Sequence, residues 1–521
     1  MRLLVTVLFL SIGLVSGLQT LWRGLKSRFQ QTPKVEPFSS EVEPSSFPPV
    51  ASQQPESTRQ PAKFHETVIV GAGLAGLSCA TYLKRAGKTD FVVLESAQQP
   101  GGRVATDVHE DGYRLDRGFQ VFLEEYPESR RLLQDEGYAK LELQPFRAGA
   151  LVYFDNGMHC VSDPLRAPED IIKSVFSPIG SLLDKCKVGL YSVVSRFSSV
   201  TSAEAQQLVF TREEKTTLAF LQEDLSISED MIDRFFRPFY RGIFLCDLAL
   251  QSSRMFEFVF LMFARASASL PKAGMGALPT YLADDVIGQQ FFRFGSRVDK
   301  VAAATEESSN RDVRWSVTCR DGSVMNCSNL VVAADPESFV GLLQTSGGDL
   351  SSIDSSIPAA RGSVCLYYGF DGPAPVQDAT LVLNGDPDPE ASSVAASVRV
   401  NNVCFPSQVS SSYAPPGKGL ASITLLGSAE TLDLHEVTLD FAVRSQLSRW
   451  WGPEVFGSWK LLRVYRIPYA QPSQTPPSAS PKDTNVARGL FVVGDHRDTA
   501  TLNGAIKSGR LAAQQVIGGY A

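Results

Sequence analysis

The chain has few cysteines and spends none of them in pairs. Cys79, Cys160, Cys186, Cys246, Cys319, Cys327, Cys365 and Cys404 stand singly along 521 residues, with no CxxC and no metal-type spacing to any of the five histidines. That excludes a zinc module and a disulfide-stapled secreted scaffold, and leaves isolated buried thiols as the expectation. Basic runs are also missing. The 49 Lys and Arg are outnumbered by 56 Asp and Glu, for a net charge of -7, so nucleic acid is not an expected partner. The longest apolar run near the N-terminus, residues 3–15, falls short of the about 20 residues that span a bilayer.

What is present begins with a leader. Residues 1–17 carry one charge, Arg2, then the apolar run, then Ser16 and Gly17, the pattern of a cleavable signal peptide. Residues 18–63 turn to Ser, Thr, Gln and Pro and read as a disordered transit peptide or linker that cannot build a core. Arg23, Lys26, Arg28 and Lys34 precede any acid there. A signal followed by such a stretch suits delivery to a plastid enclosed in the endomembrane system; the alternative is the secretory pathway.

The folded part opens on Glu66-Thr67-Val68-Ile69-Val70, a β-branched run that predicts a buried strand. Gly71-Ala72-Gly73-Leu74-Ala75-Gly76 follows at once and leads into a helix that stops near Gly87. In a GxGxxG turn the first glycine permits the tight bend, the second lets a pyrophosphate approach the main chain, and the third lets helix and strand pack closely. The helix N-terminus then offers amides and a positive dipole end to phosphate. Glu95, at the end of a second strand over 91–94, lies about 20 positions beyond, where a carboxylate accepts from ribose hydroxyls.

Two further features separate a flavin dinucleotide from a nicotinamide one. Gly101-Gly102-Arg103 and Asp116-Arg117-Gly118-Phe119-Gln120 follow the acid, and near the C-terminus a strand over 489–493 opens onto Gly494-Asp495, with Asn503-Gly504-Ala505 starting a helix. On these motifs the chain resembles the FAD-dependent amine oxidase and phytoene desaturase superfamily across about residues 64–520. The stretches 117–122, 238–245 and 274–279 resemble, more narrowly, a bacterial and plant-plastid subgroup described only as FAD-dependent oxidoreductases.

The resemblance implies a two-dinucleotide-binding-motif α/β fold. A Rossmann-like FAD-binding domain (64–120, 289–340 and 488–521) would be interleaved with an α+β substrate domain with a helical cap (121–288 and 341–487). It implies that Gly102 and Arg103 sit against the pyrophosphate, Gly118, Phe119 and Gln120 border the flavin, and Val298 meets the adenine. Asp495 would accept from the ribityl side, and the helix after Asn503 would point its amides at the flavin pyrimidine. The FAD is expected to be non-covalent, since the last cysteine is Cys404.

Between 121 and 286 no second strand-GxGxxG-helix unit occurs, and Gly274-Met275-Gly276 is read as lacking a preceding strand. Electrons are therefore expected to come from the organic substrate and leave to dioxygen or a quinone. Apolar residues at 171–176, 182–194 and 255–263 read as the core of a helical cap, or as a greasy channel walled by Phe256 and Phe260 with peripheral membrane contact. Strands over 363–369, 381–383 and 421–426 suggest a second, antiparallel sheet.

Tyr240, Tyr469 and His496 are the candidate catalytic side chains; no metal ligands stand out. The expected activity is FAD-dependent desaturation, oxidation or flavin-assisted isomerisation of a hydrophobic isoprenoid or carotenoid. The alternatives are an amine or amino-acid oxidase releasing hydrogen peroxide and a non-catalytic flavin-binding protein.

Overall fold

A computed structural model describes residues 62–304, 312–344, 358–387, 398–478 and 481–519. The leader assigned to residues 1–63 lies outside these, except that Lys63 already opens the first strand.

Strand Lys63–Val70 ends in four fully buried residues and pairs in parallel with Phe91–Leu94 on one side and Val324–Val332 on the other. Such apolar runs without alternation are what a parallel sheet covered on both faces requires. Leu490–Val492 adds in parallel to the far end of Val324–Val332, so the last strand in sequence lies two places from the first. Helices Leu74–Arg85 and Leu502–Gly518 then pack side by side on one face. Their closeness needs Gly509, where a Cβ would stand 2.1 Å from the Ala75 carbonyl oxygen.

The second sheet has seven strands, largely antiparallel, with Ala360–Asp371 between Lys418–Gly427 and Lys460–Pro472. Leu381–Asn384 runs antiparallel to Val400–Cys404 but parallel to Gly149–Phe154. One face of this sheet buries Val364, Leu366 and Tyr368 under helix Glu436–Trp451; the other turns toward the first sheet. The strands of both sheets come from alternating stretches of the chain, so neither sheet closes until most of it is in place.

The cap differs from the sequence reading in two of three places, while 255–263 follows the first of its two readings, a cap core. Helix Ser253–Arg265 is core: Met255, Phe256, Phe258 and Val259 are buried, and Phe256 packs against Tyr240, Phe236 and Phe220 rather than walling a channel. By contrast helix Ile171–Phe176 buries none of its residues, and helix Leu182–Phe197 buries only Asp184 and Tyr191. Apolar spacing alone does not say whether a partner element arrives to cover it. Third, a strand, Ala268–Pro271, does precede Gly274-Met275-Gly276, but it belongs to a small antiparallel sheet. Both glycines there pack against Thr106, and the Met275 amide donates to Asp116, so no phosphate cradle exists. Six of the eight thiols are buried, while Cys160 is half-buried and Cys186 is exposed.

Candidate functional site

A cavity of about 820 Å³ runs between the two sheets and the cap, toward the upper end of the range for small-molecule sites. Its first end is made mostly of main chain. Gly71 takes φ +103, and a Cβ there would meet the Ala333 carbonyl oxygen at 2.7 Å. At Gly76 a Cβ would stand 2.1 Å from the Gly71 oxygen, so the helix can enter only on a residue without a side chain. Gly73 differs: a Cβ there would meet nothing within 4 Å, because Gly73 faces the cavity. The same chain position that is spare to the fold is therefore open to a ligand.

Glu95 is aimed by the Ala72 amide (2.7 Å) on one oxygen and by the Ala97 amide (2.8 Å) and Ser96 hydroxyl (3.1 Å) on the other, and it lines the cavity with the first oxygen still able to accept. Gly101 bonds its amide to the Ala72 carbonyl and bridges to Gly73, which brings Gly102 to the wall. Arg103 reaches across the fold to make a two-pronged ion pair with Asp495 (2.7 and 2.8 Å), and its Nη1 also donates to the Ala470 carbonyl. Gln120 donates to the carbonyls of Arg103 and Arg117, tying the 118–120 loop to that pair. Val298 lines the wall beside Ser296 and Arg297.

Opposite stands the N-terminus of helix Leu502–Gly518. The Thr501 hydroxyl caps the Gly504 amide (3.1 Å), and Thr501, Leu502 and Ala505 face the cavity. Asn503 and Gly504 do not. Asn503 accepts from the Glu128 amide (2.9 Å), and Gly504 packs on the Thr499 carbonyl, so both set the helix in place from behind. Ala72 and Gly76 likewise lie outside the wall.

The other end of the cavity is built from side chains. Helix Arg237–Phe244 is pinned to the sheet by Asn401, whose amide donates to the Pro238 carbonyl (3.0 Å), and by Gln471 donating to the Ile243 carbonyl. Its Arg237 and Arg241 share Asp247 and stay out of the wall. Phe239, Ile243, Leu245, Phe263, Leu123 and Leu381 face inward. Phe263 lies on the same stripe as Phe256, but two turns or about 10 Å further along the helix, and this displacement moves it from core to cavity. The sheet contributes Ser363, Thr424 and Asn402, with Thr424 and Asn402 directly opposite in register. The charged residues of the whole wall are Glu95, Arg103, Arg117, Arg297, Asp299, Asp335 and Asp495, and none of them belongs to helix Arg237–Phe244, to helix Ser253–Arg265 or to the strands that carry Ser363, Thr424 and Asn402.

A model of the Flavin containing amine oxidoreductase family matches residues 74–517. The chain belongs to that family. This flavoenzyme is 41% identical over 81 residues to a 15-cis-phytoene desaturase of Narcissus pseudonarcissus, a match covering 16% of this chain and 14% of that one. The curated relatives of this kind are thus matched over less than a quarter of their length. Among solved structures it is similar to an oxidoreductase from Methanosarcina mazei (17% identity, TM-score 0.63, 87% and 99% of the two chains). It is also similar to a putrescine oxidase bound to putrescine (14% identity, TM-score 0.60, 88% and 100%). At these identities the likeness is one of fold.

FAD is the cofactor of this oxidoreductase, and the first end of the cavity fits it: an open glycine, an aimed carboxylate and a helix N-terminus converge there. Of the candidate catalytic side chains, Tyr469 faces the cavity. Its hydroxyl is buried without a hydrogen-bond partner and the Arg103 guanidinium lies 5.4 Å from its ring centre; burial, then Asp495, holds its pKa above the ordinary range. Tyr240 does not line the cavity but stacks on Phe236 and Phe244 inside the cap. His496 lies outside the wall and folds back over Gly494; burial pulls its imidazole down to about 4 against the opposing charge of Asp495. Proton exchange near neutral pH needs a value closer to 7.

Tyr126, Thr501 and Asp335 also line the cavity, and no motif in the sequence announces them. Asp116 opens one of the sequence motifs, but its role comes from the fold: its buried carboxyl, held by Thr106, Tyr413 and the Met275 amide and pushed up to about 6 by burial, anchors the turn leading to Gly118.

Proposed function

We propose that this FAD-dependent oxidoreductase acts on a hydrophobic small molecule of the isoprenoid or carotenoid class, by desaturation, oxidation or flavin-assisted isomerisation. One observation carries the reading: the substrate end of the cavity is walled by Phe239, Ile243, Leu245 and Phe263, with neutral Ser363, Thr424, Asn402 and Gln471 among its polar groups. An ammonium substrate would lose its hydration there without a carboxylate to replace it. An apolar chain loses nothing.

In this reading Glu95 and Val298 hold the adenosine part, Gly73, Gly102 and the helix from Leu74 hold the pyrophosphate, and Gly118 to Gln120, Asp495 and Ala505 border the flavin. Bound FAD supplies a two-electron acceptor for hydride from an activated carbon. The cap residues exclude water and set the chain of the substrate along the cavity. Desaturation would also release a proton from the neighbouring carbon, and with neutral Ser363, Thr424 and Asn402 beside the apolar wall that proton would leave to solvent rather than to a charged side chain. Dioxygen or a quinone is the proposed acceptor, and a plastid the proposed location, supported by the leader composition and by plastid proteins among the partial relatives.

The test is anaerobic mixing of the holoenzyme with carotenoid precursors in lipid, read by loss of the flavin's visible absorbance and by chromatography of the pigments. Conversion is expected, and Ile243→Asp is expected to abolish it with flavin content unchanged. Bleaching by small amines instead, or unchanged pigment with every precursor and acceptor, would overturn the proposal.

A further inference from the structure

Fifteen large hydrophobic residues are exposed among the described residues, and nine of them fall within residues 165–197. They do not scatter. In helix Leu182–Phe197 the exposed or half-exposed positions Leu182, Cys186, Leu190, Val193 and Phe197 recur at steps of four, four, three and four, which is one continuous stripe of a helix. Leu182 is 61% and Phe197 74% exposed. The preceding helix adds Ile172 at 71% and Phe176 at 83%.

These faces are uncovered but not loosely built. Ser181 and Asp184 form a reciprocal cap at the start of the second helix, and Asp184 also accepts from the amide and hydroxyl of Ser228. The Lys185 ammonium donates to the carbonyls of Val175 and Ser177, stapling the end of the first helix to the second. The two apolar faces are therefore presented together by a fixed frame. A single exposed apolar residue means little, but a contiguous patch on a stiff frame marks a docking surface.

Charge decides the occupant. Residues 171–197 hold Lys173, Lys185, Lys187 and Arg196 against one acid, Asp184, and that acid is buried; Lys173 also pairs with Asp170 (3.3 Å) just before the segment, which leaves three basic residues against one acid beyond that pair. The segment is thus cationic in a chain whose net charge is -7. A second copy docking by two-fold symmetry would set these lysines against themselves. An anionic lipid surface instead meets cations at the rim and takes the apolar stripe into its acyl boundary, as interfacial helices do. No helix among the described residues is long and apolar enough to cross a membrane, so the contact lies on the surface.

We propose that helices Ile171–Phe176 and Leu182–Phe197 form a docking face for anionic bilayers. The proposal stands independently of the substrate argued above. The second helix also packs directly on helix Ser253–Arg265, which carries Phe263 into the cavity wall, so a docked membrane would lie one helix layer from the substrate end.

The test is flotation of the FAD-loaded protein with phosphatidylcholine vesicles containing phosphatidylglycerol, at low and high salt. Wild type is expected to float with the vesicles, less so on pure phosphatidylcholine or in high salt. Phe176→Glu with Phe197→Glu is expected to lower the bound fraction more than tenfold, with flavin absorbance and melting temperature unchanged. Wild type that stays unbound, binds neutral vesicles equally or floats as well with both substitutions overturns the proposal. So does a dimer that the same substitutions dissociate, which would assign the patch to a second copy. Should the double variant lose FAD, Phe176→Trp decides: emission shifted to the blue by anionic vesicles supports docking, and an unmoved spectrum rejects it.

Discussion

The two ends of the cavity are built on opposite principles. The cofactor end is main chain: glycines, amides and a helix terminus, with the side chains of Glu95, Arg103 and Asp495 locked by their own bonds. The substrate end is all side chain, drawn from helix Arg237–Phe244, helix Ser253–Arg265 and several strands of the second sheet. Main-chain geometry is dictated by a few permissive residues, so it leaves a short, fixed signature. A wall of side chains asks only for size and polarity, and many sequences satisfy it. The lesson is that the cofactor of such a protein is readable where its substrate is not.

The sharpest way to break this contrast is at the glycines. Gly76→Ala puts a methyl 2.1 Å from a carbonyl oxygen, so the apoprotein should lose about 3 kcal/mol by urea unfolding and come out colourless. Gly73→Ala should leave the unfolding midpoint of the apoprotein within about 0.5 kcal/mol of wild type, yet bind FAD more than tenfold more weakly by fluorescence titration. If both variants behave alike, the cavity face of Gly73 has no ligand.

Arg103→Ala leaves the Asp495 carboxylate, with a side chain 7% exposed, without its partner. A loss of about 3 kcal/mol is expected in the holoenzyme's stability, reduced if water reaches the site through the 40% exposed arginine position. Thermal unfolding followed by flavin fluorescence would measure it.

His496 gives a pH test of the same end. Its value of about 4 in the fold lies below the ordinary 6.5, so the fold favours the neutral ring. The stability this contributes is present above about 6.5 and is lost as pH falls toward 4. After allowance for the half-buried position, the loss is about 2 kcal/mol. Wild type should therefore lose that much relative to His496→Gln between pH 7 and pH 4.5 in urea midpoints. Asp116, raised to about 6, acts in the opposite direction, but it is common to both proteins and cancels.

The smallest effect belongs to the substrate end. Phe263→Ala should keep flavin content and stability near wild type and lower kcat/KM for an apolar substrate about tenfold, through KM. Flavin loss on this substitution would mean that the two ends are not separable.

Legibility followed the same division within the candidate site. Gly71 to Gly76, Glu95, Gly102, Arg103, Gly118 to Gln120, Val298, Gly494, Asp495 and Asn503 to Ala505 could all be picked out in the sequence as cofactor-side residues. The structure brings most of them to one wall, while Asn503 and Gly504 stand behind it. Tyr240 and His496 could not be placed, because an aromatic ring or an imidazole carries no local mark of which way it faces. In the middle of the chain the residues at 182–197 and 253–265 have similar apolar spacing, and only the latter buries most of its apolar side chains.

By itself, the sequence determined the dinucleotide-binding strand-turn-helix, the acid that follows it, the returning C-terminal strand and the need for FAD. These depend on residues that alone permit a given backbone path, and such permissions are local. Tertiary structure decided which aromatic residues face the cavity, which apolar helix stayed uncovered, and that Arg103 would meet Asp495 rather than solvent. Each of those is a matter of what arrives from far away along the chain, and no local pattern records the arrival.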